Sequence, residues 1–193
     1  MDVIILAGGE GRRMGGCDKG LVPFQSQPMV AFAVELVRPF VSRVIISCNR
    51  HLPEYAVLAD RVVEDPFEGF QGPLAGILAG LKVSGSDQVL VLPCDTPLLE
   101  AVLIERLLAA ANASPESITV LSEGDKLHPL HAVIPRALMG DLERWLEGGQ
   151  RAVQRWMHNH PMQLIDISEY SEQLCNLNTF QELRLLEALK SEG

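Results

Sequence analysis

The sequence predicts an α/β fold: three layers built around an open, mostly parallel sheet. Three observations lead to it. Short, continuous runs rich in β-branched residues recur at Val3 to Ala7, Val44 to Ser47, Val89 to Leu92 and Ile118 to Leu121, as strands buried on both faces require. Helix-length patterns separate these runs, which is how parallel strands are connected. The first run opens directly into a loop dense in glycine, "LAGGEGRRMGGCDKGL", from Leu6 to Leu21.

The helices follow in order. A first pattern spans about Pro28 to Arg38. The clearest runs from Pro73 to Val83, where Leu74, Ile77, Leu78 and Leu81 share one face and proline occupies the first helical position. Others cover about Pro97 to Ala111 and Pro135 to Leu146. The last is expected to begin at Thr179, which has capping-box spacing to Glu182 and precedes Leu183, Leu186 and Leu189. From about Ser122 the strand candidates shorten, at His131 to Ile134 and Leu164 to Ile167, and are expected to add antiparallel strands. With no internal repeat, low-complexity segment or linker, residues 1–193 read as a single domain.

Composition narrows the function classes. A chain of 193 residues, 47% hydrophobic and 21% charged, is that of a soluble globule. No apolar run approaches the roughly 18 residues of a membrane span, and the Met-Asp start lacks a basic leader, so a cytoplasmic protein without membrane attachment is expected. Cys17, Cys48, Cys94 and Cys175 lie far apart with no C-x-x-C pair, which implies free thiols rather than a zinc site or a disulfide framework. The net charge of -9 argues against a nucleic-acid partner. Any anionic ligand must be captured locally.

The glycine-rich stretch has the position for that capture. It joins the first strand to the first helix, and in open α/β sheets ligands bind where strands end and glycine turns let backbone N–H groups approach phosphate. Two familiar phosphate loops fail here. Lys19 lies between Asp18 and Gly20, not in a Gly-Lys-Ser/Thr run, and Met14 stands where a dinucleotide fingerprint begun at Gly9 and Gly11 needs glycine.

The stretch instead resembles the first loop of the nucleotidyltransferase superfamily, and the chain is most similar to the molybdenum cofactor guanylyltransferases within it. The resemblance rests on "LAGGEGRRMGGCDKGL", "NR" at Asn49, "VEDPF" around Asp65, "GPLAGILAGL" from Gly72, "PCDTPLL" from Pro93, "HPLHAVI" from His128 and "NLNT" from Asn176, in family order over nearly the whole chain. One departure is Phe180, where the family usually has proline. The resemblance implies a Rossmann-like sheet of the nucleotide-diphospho-sugar transferase type, with residues 1–121 binding GTP and 122–193 mainly facing molybdopterin. It also implies transfer of GMP from GTP to molybdopterin with release of pyrophosphate, Mg2+ as cofactor, and transient contact with cofactor-inserting or GTP-binding accessory proteins. A CTP-dependent sibling, a sugar-1-phosphate nucleotidyltransferase and a nucleotide-binding regulator or carrier stand as alternatives.

The chemistry asks for the same residue types. Two polyanions must be brought together, and two unit charges ~4 Å apart interact by about 4 kcal/mol even at an effective dielectric of 20. Lys19 and Arg13 supply fixed positive charge, and backbone amides from Ala7 through Gly8 and Gly9 to Gly11 supply directional donors; the resemblance implies that the backbone from Leu6 to Gly8 helps read guanine. Asp95, at a strand's carboxyl end between Pro93 and Pro97, offers the hard oxygen magnesium needs; it or Thr96 could equally cap the following helix, and the resemblance decides for metal. Asp65 reads either as a nucleotide contact, as the resemblance implies, or as a solvated turn acid before Pro66. Gly72, Pro73 and Gly76 open a helix whose N–H groups lie near the purine by resemblance, or simply start a helix well. Asn49 has a donor and an acceptor for base or ribose, and Asn176 and Asn178 resemble residues on the pterin side. No nucleophile and base are paired. A phosphate monoester with a second pKa near 6 needs none at neutral pH. The pairs His128/His131 and His158/His160 lack helical zinc spacing; His128 reads as a wall of the second substrate's pocket.

Overall fold

A computed structural model describes residues 1–9, 16–66, 72–177 and 181–182. In chain order these form β1 (Asp2–Leu6), β2 (Pro23–Phe24), β3 (Gln27–Pro28), α1 (Met29–Val37), β4 (Arg43–Ser47), α2 (Leu52–Ala56), β5 (Arg61–Val63), α3 (Pro73–Val83), β6 (Gln88–Pro93), α4 (Ala101–Ala113), β7 (Ile118–Glu123), β8 (Lys126–Pro135), α5 (Met139–Glu147), α6 (Val153–Met157) and β9 (Met162–Asp166). Seven of the strands make one sheet in the order β5-β4-β1-β6-β8-β7-β9, and β2 and β3 form a separate small hairpin.

Alternation along the central strands sorts side chains into two cores. Val3 and Ile5 of β1, with Val44 and Ile46 of β4, face the layer of α1 and α4. Ile4 and Ile45 face the opposite layer of α3, α5 and α6, where Leu74, Ile77, Leu78, Trp156 and Met157 are buried. Because both faces are covered, the interiors of the central strands, residues 3–6, 44–46 and 89–92, are apolar on both sides, which is why they read as unbroken runs.

One strand runs against the others. β8 pairs antiparallel with both β6 and β7, while β9 pairs parallel with β7. The expectation of antiparallel strands in the C-terminal part therefore holds for His131 to Ile134 in β8 but not for Leu164 to Ile167. The physical reason is the connection. A tight turn with Gly124 at φ 55 reverses β7 into β8, and the helix pair α5 and α6 brings the chain back to the end of the sheet where β8 stops, so β9 runs against β8 and therefore parallel to β7. Two helix starts also differ. The pattern from Pro97 becomes helical only at Ala101, and the one from Pro135 begins as a 3-10 turn over Arg136–Leu138 before α5. Of the helix expected from Thr179, Gln181 and Glu182 are helical; Thr179 and residues 183–193 lie outside the described residues.

Helix α3 lies unusually close to the sheet at its glycines. A Cβ at Gly80 would overlap the Cγ1 and Cδ1 atoms of Ile4, and one at Gly76 would sit 2.5 Å from Ser47 Oγ. Gly80→Ala gains about 1 kcal/mol of helix propensity but pushes on a fully buried strand side chain at a typical cost of 1–3 kcal/mol. The expected net result is a loss of up to about 2 kcal/mol in urea denaturation with an unchanged m-value; a midpoint above wild type would show that Ile4 can repack.

Candidate active site

Parallel register sets three strand ends side by side. Leu6 at the end of β1 is level with Ser47 at the end of β4 and with Pro93 at the end of β6. The chain leaves β1 by α1 toward β4 and β5, then returns by α3 to β6 on the other side of β1. Such a switch point leaves a crevice between diverging loops. A cleft of ≈ 360 Å³ lies there, and Leu6, Ala7, Gly8, Gly9, Lys19, Asp65, Gly72, Pro73, Gly76 and Asp95 all line it. Ten residues singled out from five separate segments of sequence thus share one cavity.

Lys19 and Asp95 meet inside it. Lys19 Nζ donates to Asp95 Oδ2 in an ion pair whose two side chains are each 16% exposed. The peptide around Asp95 is held from two sides: the Cys94 N–H donates to the Leu6 carbonyl at 3.1 Å, and the Leu177 N–H donates to the Asp95 carbonyl at 3.0 Å. The second bond brings the "NLNT" segment against the turn, and Leu177 is itself buried with Val22, Phe24 and Met29 just beyond Lys19. Chain ends far apart in sequence converge on one carboxylate.

Capping of the next helix is not the role of Asp95. α4 starts at Ala101, with Glu100 at its N-cap position, and the Thr96 hydroxyl instead contacts His131 Nε2 at 3.1 Å. Proline at 97 is held in the turn that precedes the helix rather than in its first turn, so neither Asp95 nor Thr96 reaches its free N–H groups. Asp95 Oδ1 is buried with no hydrogen-bond partner among the described residues. A buried anionic oxygen without a donor is costly unless a ligand satisfies it. The donor set fits magnesium: one carboxylate oxygen beside a cleft, with the remaining positions left to water and phosphate. Among the described residues no group of three or more His, Cys, Asp or Glu could hold a metal by itself, so such an ion would depend on the substrate for ligands.

Asn49 and Asp65 form a reciprocal pair. Asn49 Nδ2 donates to Asp65 Oδ2 at 2.8 Å, and the Asp65 N–H donates to Asn49 Oδ1 at 2.9 Å. The solvated-turn reading of Asp65 is therefore wrong: burial pushes its pKa up, against the pull of the Asn49 bond. Of the two, Asp65 lines the cleft, while Asn49 stands behind it, close enough that a Cβ at Gly8 would touch its Nδ2 at 3.6 Å. Gly72 caps α3 at φ 80 and ψ -177, a conformation essentially confined to glycine. It turns the positive end of an 11-residue helix toward the cleft.

The histidines sit to one side. β8 loses register against β7 between Val120 and Leu121, so that Leu121 faces His128 while Val120 faces Ala132. The extra residues bulge, and Leu130 at their centre reaches the cleft. His128 instead packs beside Glu123, Nε2 to Oε2 3.7 Å, and edge-on to His131. His131 is buried, and burial followed by the His128 charge drives its pKa down to about 3. All four cysteines are free thiols; burial pushes Cys48 up to about 12 and Cys94 higher still, so neither is a thiolate nucleophile. Asn176 is exposed beside Leu177. Arg13 and Asn178 lie outside the described residues.

Sequence reasoning assigned no role to Arg50, the second residue of the "NR" motif, or to Tyr55. Arg50 donates to the carbonyls of Gly16 at 3.0 Å and Gly9 at 3.1 Å, bridging the two flanks of the glycine-rich loop. Tyr55 is buried in α2 and donates its hydroxyl to Asp18. Neither has a signal in spacing, since both act across the fold.

A family model described as the MobA-like NTP transferase domain matches residues 3–163. The chain is 45% identical over 177 residues to a molybdenum cofactor guanylyltransferase of Ectopseudomonas mendocina (strain ymp), covering 92% of this chain and 87% of that protein. It is 37% identical to one of Shewanella loihica, with 98% and 97% covered. Its fold is similar to the crystal structure of molybdopterin-guanine dinucleotide biosynthesis protein A from Archaeoglobus fulgidus, with a TM-score of 0.82 at 22% identity and both chains fully covered.

Proposed function

The chain belongs to the MobA-like NTP transferase family, and we propose that it transfers GMP from GTP to molybdopterin, releasing pyrophosphate, with residues 1–121 on the GTP side and 122–193 mainly on the molybdopterin side. The observation that carries this reading is the meeting of Lys19 and Asp95, 76 positions apart, in a cleft closed by the glycine-rich turn and the start of α3. The names of the relatives support a guanylyl donor and a molybdenum cofactor acceptor.

In the reaction the acceptor phosphate oxygen attacks the α-phosphorus of GTP, and the bond to the departing pyrophosphate breaks in line. The residues of this chain neutralise and orient. Lys19 exchanges its bond to Asp95 for the triphosphate, while amides from Ala7 to Gly9 and the Gly72 end of α3 aim fixed donors into the cleft. Asp95 would hold Mg2+, which supplies charge neutralisation at the phosphates when bound. Arg13 is proposed as a second phosphate cation, and Asn176 and Asn178 as pterin contacts. Asn49 acts through Asp65, whose placement it fixes. No side chain needs to remove a proton, because the acceptor oxygen is already mostly ionised at neutral pH, and His131 stays neutral in its buried position.

Incubating the protein with each of four NTPs, magnesium and molybdopterin, and identifying the dinucleotide by mass, tests the reading. Only GTP should yield product. Product from CTP alone, or from a sugar 1-phosphate in place of molybdopterin, would replace it with a sibling activity, and nucleotide binding without pyrophosphate release would make the chain a carrier. Lys19→Ala is expected to weaken GTP binding by about tenfold or more, as loss of a charge-assisted hydrogen bond implies. Lys19→Arg should recover only part of it, because the planar fork does not reproduce a compact ammonium. Equal calorimetric affinities in wild type and Lys19→Ala would remove Lys19 from the site.

A further inference from the structure

Lys19 begins a short 3-10 turn, Lys19–Leu21, with no side-chain cap. Nothing in that turn alone directs a long flexible side chain to Asp95. Both of its neighbours, however, are fastened to one residue of a different element. Tyr55 donates its hydroxyl to Asp18 Oδ1 at 2.5 Å, and the Gly20 backbone packs so closely on the same phenol that a Cβ there would overlap the hydroxyl oxygen. Asp18 and Gly20 are both buried, and Tyr55 is wholly so. Burial and the Asp18 carboxylate both raise the phenol's pKa, so it is a donor at every working pH. Four residues before Tyr55 in the same connection, the αL residue His51 at φ 54 caps the start of α2, and Arg50 ahead of it ties the Gly9 and Gly16 carbonyls.

We propose that Tyr55 is the positioning residue for Lys19: by holding Asp18 and Gly20 it fixes the backbone on both sides of the lysine and so presents the ammonium to the triphosphate. The proposal rests on the reading of Lys19 as a triphosphate contact. It assigns a task to a phenol that touches no substrate, and it explains why residue 20 is glycine: any side chain there would displace the latch.

Two readouts separate the latch from the nucleotide reading. The first is deuterium uptake by the amides of residues 16–22 in the protein without nucleotide; the second is the affinity for magnesium GTP. In Tyr55→Phe, uptake in that segment should accelerate by about tenfold and GTP affinity should fall by about tenfold, the scale expected when a buried acceptor loses its donor, while uptake in β1 and β6 stays at wild-type rates. Asp18→Ala should reproduce both changes. Asp18→Asn, which keeps an acceptor oxygen for the phenol, should restore both to within about twofold, again on the scale of a retained neutral hydrogen bond. The two Asp18 variants carry the test should Tyr55→Phe not fold. Wild-type uptake and affinity in Tyr55→Phe would overturn the proposal, as would equal losses in Asp18→Asn and Asp18→Ala, which would assign the effect to the charge of Asp18. If the wild-type protein binds no GTP, the nucleotide reading fails, and faster uptake in Tyr55→Phe alone decides for the latch and unchanged uptake against it.

Discussion

Asp95→Asn is expected to lower single-turnover GMP transfer on the order of 10³-fold while leaving the fold intact, the scale seen when one preorganised electrostatic contact is removed from a reacting phosphate or acyl centre. Two losses combine in one atom change. Oδ1, buried without a partner among the described residues, ceases to be an anionic oxygen available to a hard cation, and Lys19 loses the charge that holds it at the cleft. The fold should survive because the turn is held through its backbone: the bonds from Cys94 N–H to Leu6 and from Leu177 N–H to the Asp95 carbonyl do not involve the side chain. Turnover at saturating GTP and molybdopterin with limiting magnesium is the measurement, with circular dichroism and the thermal midpoint as controls. Wild-type turnover in the Asn variant under those conditions would show that the carboxylate is neither a metal ligand nor the anchor of Lys19.

The second large effect is on stability. His131 is neutral in the folded protein down to about pH 3 because burial, with the His128 charge adding, depresses its pKa, whereas in the unfolded chain it takes up a proton near pH 6.5. Between those values the unfolded state binds more protons, so stability rises with pH there. Its contribution is complete above about pH 6.5 and is lost as pH falls toward 3, at up to about 1.4 kcal/mol per pH unit. The groups facing the ring are the Thr96 hydroxyl and the neighbouring His128, neither of which can pair with an imidazolium as a carboxylate would. Urea denaturation at pH 7 and pH 4.5 checks this. Wild type should lose about 2 kcal/mol more than His131→Gln over that interval, since glutamine keeps a polar atom near Thr96 but has no proton to gain. Parallel losses in the two proteins would show that another group governs acid unfolding.

The expected roles divide according to how local their causes are. The central strands, α3 and the glycine-rich turn were legible because each depends on its own residues: β-branched runs for burial on both faces, Pro73 for a helix start, glycine for the turn into a cleft. The alternative readings of Asp95 and Asp65 were not separable in the sequence. They were separated by where a helix began, four residues later than the proline suggested, and by a partner, Asn49, lying 16 positions away. The direction of β9 was likewise hidden, because a short strand carries no record of what it pairs with. That depends on the intervening α5 and α6 and on the insertion of β8 between β6 and β7.

By itself, then, the sequence determined the layer architecture, the order of its central strands' elements and the residue types available to grip a triphosphate, since propensity, hydrophobic period and motif spacing are properties of contiguous chain. Tertiary structure alone decided that Lys19 faces Asp95, that one oxygen of Asp95 is left for a ligand, that Leu130 rather than His128 enters the cleft, and that Tyr55 and Arg50 hold the loop. Each of these is a contact between residues brought together only by strand register and helix packing, and a local pattern contains no information about its distant partner.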